Sequence, residues 1–166
     1  MRWIYEIDIE GLPEPFVVLS DPNEEDLIDP RKRALLMAWR KPRFALSRIP
    51  RLDELDADLL KELSPNLMEL AVLPDGDFLY KSYGSSIAAA YGRDMTGRKT
   101  SEFPTPIAKA FVSVYGLALK RPQPYATRHK PPTPMTDGHW HRLILPLAGD
   151  AGGVCGFIVC NVPIDR

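Results

Sequence analysis

The chain is poor in the residues that build covalent or metal frameworks, with two cysteines and three histidines in 166 residues. Two cysteines make no disulfide framework, and the expected setting is the cytoplasm with both thiols reduced. No apolar run approaches the ~18–20 residues that a membrane-spanning helix needs. Acids at Glu6, Asp8 and Glu10 fall where a secretory signal would carry its apolar stretch, so no such signal is expected. The formal net charge is only −1, which gives no general attraction to nucleic acid or to an anionic membrane. Catalytic signatures are missing as well. The chain has no G-x-S-x-G elbow, no Gly-rich phosphate loop and no H-E-x-x-H zinc helix. A protein without catalytic activity is the expectation.

The few metal-ligating residues do not assemble on paper. His139 and His141 are two apart on a strand-like segment and leave the same face, but two imidazoles fall short of the three or four ligands of a stable site. Cys155 and Cys160 differ by an odd number and point to opposite faces of a regular strand, and His129 stands apart. No metal is expected.

What is present reads as one globular domain with an N-terminal extension. Trp3, Tyr5, Ile7 and Ile9 alternate with Ile4, Glu6, Asp8 and Glu10, the pattern of a half-buried strand. Asp29-Pro30 opens a helix with Leu35, Leu36 and Trp39 on one stripe, and Pro42 is expected to stop it. Arg31, Lys32, Arg33, Arg40, Lys41 and Arg43 make this segment basic, either a solvated helix face or a docking surface. A second helix starts near Asp53 or Asp56, carries Leu55, Leu59, Leu60 and Leu63, and ends at Pro65. Leu67 to Leu73 and Phe78 to Gly84 form a hairpin around the turn Pro74-Asp75-Gly76-Asp77. Ser85 and Ser86 offer capping hydroxyls to a short helix ending at Tyr91, and Gly92 and Gly97 end that helix and the turn after it. Pro106 to Lys120 repeats apolar residues at spacings of three and four, the mark of a helix packed on a sheet. Gln123 to Lys130, bounded by prolines, suits an edge strand; His139 to Leu147 and Val154 to Ile164 are the remaining strands.

The stretch FLYKSYGSSIAAAYGRDMTGRK, Phe78 to Lys99, resembles the passage from strand to helices in a PAS domain, and its words YGRDMTGRK are similar to the PAS-like family found in many bacterial proteins. The resemblance covers about residues 45–164, leaving residues 1–44 as the extension and 45–166 as the PAS-like domain. It implies an α+β fold: a five-stranded antiparallel sheet in the order 2-1-5-4-3 with helices over one face. It also implies a sensory or regulatory module that signals through a partner protein, with a small organic ligand between sheet and helices. The alternative is a ligand-free interaction or dimerisation module. Haem-binding relatives use a helical histidine, which the helix Pro106 to Lys120 lacks, and photoactive flavin relatives use a helical cysteine, whereas both cysteines here lie in the last strand. Neither cofactor is expected.

For a pocket in such a fold, strand alternation separates His139, His141, Leu143, Leu145 and Leu147 from Trp140, Arg142, Ile144 and Pro146. The second set places an aromatic beside a guanidinium, a clamp suited to an anion or carboxylate; either set can be the core face. By the same alternation only one of Tyr80 and Tyr83 can line a pocket. Tyr83, Tyr91, Phe111, Tyr115, Trp140 and Arg142 are the candidate lining residues, with core packing as the alternative role for each aromatic. Trp3, Tyr5, Trp39 and Phe44 are expected to cover the sheet, or a second subunit in a homodimer.

Overall fold

In the computed structural model, which describes residues 3–130 and 138–164, a single antiparallel sheet of seven strands forms the centre of the molecule. In chain order the strands are β1 (Ile4–Ile7), β2 (Phe16–Ser20), β3 (Leu67–Val72), β4 (Phe78–Tyr83), β5 (Tyr125–His129), β6 (His139–Ala148) and β7 (Val154–Ile164). The helices are α1 (Pro30–Leu46), α2 (Ala57–Leu63), α3 (Ser85–Tyr91) and α4 (Thr105–Lys120). The α+β class holds, and the sheet is larger than the expected five strands. Its order is β1-β2-β5-β6-β7-β3-β4.

Two additional strands account for the difference. Trp3, Tyr5, Ile7 and Ile9 face inward as their alternation requires, and β1 pairs with β2. β2, reading FVVLS, is absent from the sequence reading. It pairs in turn with β5, so β5 lies inside the sheet and is not an edge. Pro122 and Pro124 precede its ladder, where no N–H is lost from the pairing, and the prolines after Lys130 lie outside the described residues.

Helices cover both faces rather than one. On one face α3 and α4 bury Phe16, Met68, Phe78, Tyr80, Tyr125, Ile144 and Phe157 with their own Ile87, Phe111, Val114 and Tyr115. On the other, α1 and α2 bury Leu143, Leu145, Leu147, Ile158, Cys160 and Val162 with Leu35, Leu36, Trp39 and Leu63. This explains why the alternation of β6 could not name one core face: a strand covered on both sides is apolar on both sides. The basic helix α1 therefore has a buried stripe, and Trp39 Nε1 donates to the Pro146 carbonyl at 2.8 Å.

Local chemistry sets the helix ends. The Asp29 carboxylate accepts from the Arg31 backbone N–H at 2.8 Å, with Pro30 in the first turn. Pro42 does not stop α1, which runs on to Leu46 before Ser47 turns left-handed at φ 54°. The single N–H that proline removes falls in the last turns, where one missing bond is tolerated. Asp56 caps α2 by accepting from the Asp58 and Leu59 N–H groups. Gly84, not either serine, is the N-cap of α3, and no side-chain cap bond forms there. Tyr5 and Trp39 cover the sheet as expected, whereas Phe44 is 73% exposed and does not pack on the sheet.

Candidate functional site

The site begins with an irregularity in β4. In the β3–β4 ladder Glu69 faces Ser82 and Leu70 faces Tyr80, so Lys81 is an extra residue and the strand bulges. The bulge reverses the alternation, bringing Tyr80 and Tyr83 to the same side with ring centroids 5.3 Å apart. The expectation that these two face opposite ways is thereby corrected. Gly84 then lets the chain turn against the segment 64–66: a Cβ there would sit 2.3 Å from the Pro65 carbonyl oxygen. Only glycine allows this approach.

The segment YGRDMTGRK has a structural account. Gly92 ends α3 at φ 91°. The Asp94 carboxylate accepts from the Thr96 N–H at 2.9 Å and from its hydroxyl at 2.7 Å, which holds the turn and lowers the Asp94 pKa. Met95 is fully buried as a plug. Gly97 donates to the Tyr80 carbonyl at 2.8 Å and Tyr80 donates to the Arg98 carbonyl at 2.9 Å, so the loop runs along the outer edge of β4. These residues shape one wall of a chamber and leave Phe103 pointing into it.

The chamber, about 380 Å³, lies between α3, the start of α4 and the sheet. Ile87, Ala90 and Tyr91 of α3 form one side, Phe103, Ile107 and Phe111 another, and Tyr83, His129, Trp140, Arg142 and Asn161 the floor. Of the six candidate residues, Tyr83, Tyr91, Phe111, Trp140 and Arg142 surround this one space. Tyr115 does not line it. It lies behind Arg142, whose Nη1 donates to the Tyr115 hydroxyl at 3.0 Å. The sequence reading missed Phe103, Asn161 and the lining role of His129. Trp140 pairs with His129 and Arg142 with Asn161 across the ladders, so His129 and Asn161 follow from the strand register, which alternation within one strand does not give.

The floor is polar in a way that core packing does not require. Arg142 and Asn161 of the floor are register neighbours on β6 and β7, Thr127 on β5 is the partner of Arg142 on its other side, and all three are buried. The Arg142 guanidinium lies 3.9 Å over the Phe111 ring, a cation–π contact in a water-poor setting. Among the described residues its Nε has no partner, nor has Nδ1 of His129 or Oδ1 of Asn161. No carboxylate among the described residues forms an ion pair with Arg142. Burial, with Arg142 next in weight, pushes the His129 pKa far below its usual value, so this imidazole is neutral. It is stacked on Phe16 at 4.9 Å and meets Phe111 edge-on at 5.4 Å.

The other histidines stay apart from this floor. His139 pairs with Glu14, and His141 sits on the α1 side of the sheet, where burial and then the charge of Lys32 lower its pKa to about 4. Cys155 is exposed and Cys160 buried. Among the described residues no three of His, Cys, Asp and Glu gather into a metal-binding group, and no helix is long and apolar enough to cross a membrane. Comparison with protein-family models, with curated proteins and with solved structures finds no match to this chain.

Proposed function

We propose that the protein is a PAS-like, non-catalytic sensory or regulatory module that takes a small organic ligand into the chamber beneath α3 and α4 and signals through a partner protein. The observation that carries this reading is the chamber itself: an aromatic-walled space of about 380 Å³ whose lining residues His129, Arg142 and Asn161 each carry a buried polar atom without a partner among the described residues. That volume falls within the range of small-molecule sites, ~300–1,000 Å³. A side chain with an unmet hydrogen bond is costly in a sealed core and useful in a binding site. Support for the PAS-like assignment comes from the contiguous run β4-β3-β7-β6-β5 within the larger sheet, with β2 and β1 as additions beyond β5.

In this reading the ligand must bind two arrangements of α3 and α4 unequally, because only differential affinity shifts a population. α3 is suited to such a shift. It has seven residues, a single fully buried side chain (Ile87) and a glycine at each end. Native mass spectrometry of protein purified without additives tests the proposal. A small molecule retained on the folded chain and released on denaturation is the expected result. An unliganded mass, together with a crystal structure showing the chamber collapsed and dry, would refute it.

A second reading rests on α1. Met37 and Phe44 are 47% and 73% exposed on its outer side, which favours association of the module with another protein or a second copy. A sedimentation measurement showing a dimer that Phe44→Ser dissolves would support it.

A further inference from the structure

Taking the sensory reading of the chamber as its premise, we infer that the ligand is an organic monocarboxylate with an apolar or aromatic body of about a dozen non-hydrogen atoms, its carboxylate held by Arg142. Among the described residues the chamber's lining carries two formal charges, Arg93 at its exposed mouth and Arg142 at its floor, and both are positive. No acidic residue among the described ones lines it. Arg142 is 4% exposed, and its guanidinium keeps one face on Phe111 and one nitrogen on Tyr115, while Nε has no partner among the described residues. A guanidinium fixed in this way presents the fork that carboxylates match with two parallel hydrogen bonds.

The remaining floor atoms refine the class. Asn161 Oδ1 can accept only from a donor, and the neutral His129, which lines the same chamber, has Nδ1 without a partner among the described residues. A carboxylic acid bearing a hydroxyl or N–H on its body would satisfy both ends. A doubly charged phosphate fits less well, since a single buried cation compensates one charge and the walls are Ile87, Ala90, Phe103, Ile107 and Phe111. At the ~30 Å³ each liquid water occupies, the chamber holds on the order of a dozen heavy atoms. A short aryl-alkanoic acid has that size.

The test uses four compounds with similar bodies on the full chain: hydrocinnamate, hydrocinnamide, phenylpropylamine and phenylethylphosphonate, each titrated by calorimetry. The acid is expected to bind about tenfold or more tighter than the amide, as one charge-assisted pair implies, with the amine not binding. Arg142→Met is expected to remove the preference for acid over amide, and Arg142→Lys to keep part of it. Ala90→Phe, which fills the chamber and leaves Arg142 in place, is expected to abolish binding of both even if the Arg142 variants fail to fold. Amide binding equal to acid binding overturns the assignment of an anion while leaving the ligand chamber standing. So does a preference for the amine, and tighter binding of the phosphonate overturns the monocarboxylate. Acid binding that survives Ala90→Phe places the site elsewhere and overturns the inference. Failure of all four compounds to bind the wild-type chain overturns the ligand class, whereas the chamber reading fails only if the purified protein also retains nothing and its chamber is collapsed and dry.

Discussion

Replacing Arg142 with methionine separates a binding residue from a structural one. If the guanidinium were there to hold the core together, its removal would resemble breaking a buried ion pair and cost ~3–5 kcal/mol. The contacts point elsewhere. Arg142 is 4% exposed and has no carboxylate partner among the described residues. Methionine would lose the cation–π contact with Phe111, about 2 kcal/mol when desolvated. It would also leave the Tyr115 hydroxyl short of a partner, a further ~1–3 kcal/mol. Against these stands relief of the desolvation of a buried charge, itself several kcal/mol. The opposing effects are of similar size, so the ligand-free protein is expected to change by no more than about 1 kcal/mol in either direction. Urea denaturation at pH 7 measures this through the midpoint at constant slope. The same variant should lose the stabilisation that hydrocinnamate gives the parent, about 2.7 kcal/mol at a hundredfold excess over Kd. A loss of 3 kcal/mol or more without ligand, with ligand stabilisation intact, would refute the reasoning.

Other perturbations test the same contacts. Phe111→Ala removes a ring that touches Phe16, Phe103, Tyr115 and His129, and should cost about 3–5 kcal/mol on chemical denaturation; a loss well under 1 kcal/mol would contradict its placement. Gly84→Ala forces a Cβ to within 2.3 Å of the Pro65 carbonyl and should cost about 1–3 kcal/mol or more by thermal melting, whereas a neutral result would mean that β4 does not turn against residues 64–66. Lys32 is 3% exposed on the buried face of α1, and burial lowers its pKa from 10.5 to about 8. Its folded pKa lies below its unfolded one, so the cost of burying the charge is complete below about pH 8 and is relieved as pH rises towards 10.5. Lys32→Met should therefore stabilise the protein by on the order of 1–3 kcal/mol at pH 7, with the gain shrinking above pH 9; a gain that grows with pH would be the wrong sign. His129 and His141, by contrast, are held neutral by burial, His141 with a pKa lowered to about 4, so their contribution is full above about pH 6.5 and is lost as pH falls below it. His141→Gln should flatten the decline in urea midpoint between pH 6.5 and 4, and an unchanged slope would count against its burial.

Much of the scaffold was legible because its elements obey simple periods. The stripe Ile107, Ala110, Phe111, Val114, Tyr115, Ala118 can bury itself only as a helix, and the turn Pro74 to Asp77 can join β3 to β4 only as a hairpin. The failures have equally physical causes. β2 is five residues set between Pro15 and Asp21-Pro22, too short for alternation to speak, though Val17 and Val18 beside those turn residues were a usable signal. The Tyr80–Tyr83 parity failed at a bulge, which no two-residue period can foresee. The two faces of β6 could not be ranked because both are buried, a consequence of α1 crossing to the far side of the sheet. Trp140 and Arg142 could be paired from the sequence as neighbours on one face, but the missing counter-ion is a property of the folded surroundings. Asn161 joined them only once the β6–β7 register was known.

The Arg142 Nε–H resonance reports the central claim most directly, because that hydrogen belongs to a chamber-lining guanidinium, is buried and has no partner among the described residues. In a ¹H–¹⁵N spectrum of the arginine side chains, hydrocinnamate is expected to move this resonance strongly downfield as the carboxylate accepts its proton, with the Trp140 indole shifting in parallel and hydrocinnamide moving only the indole. An Arg142 Nε–H signal that stays in place while the acid saturates the protein would contradict the account.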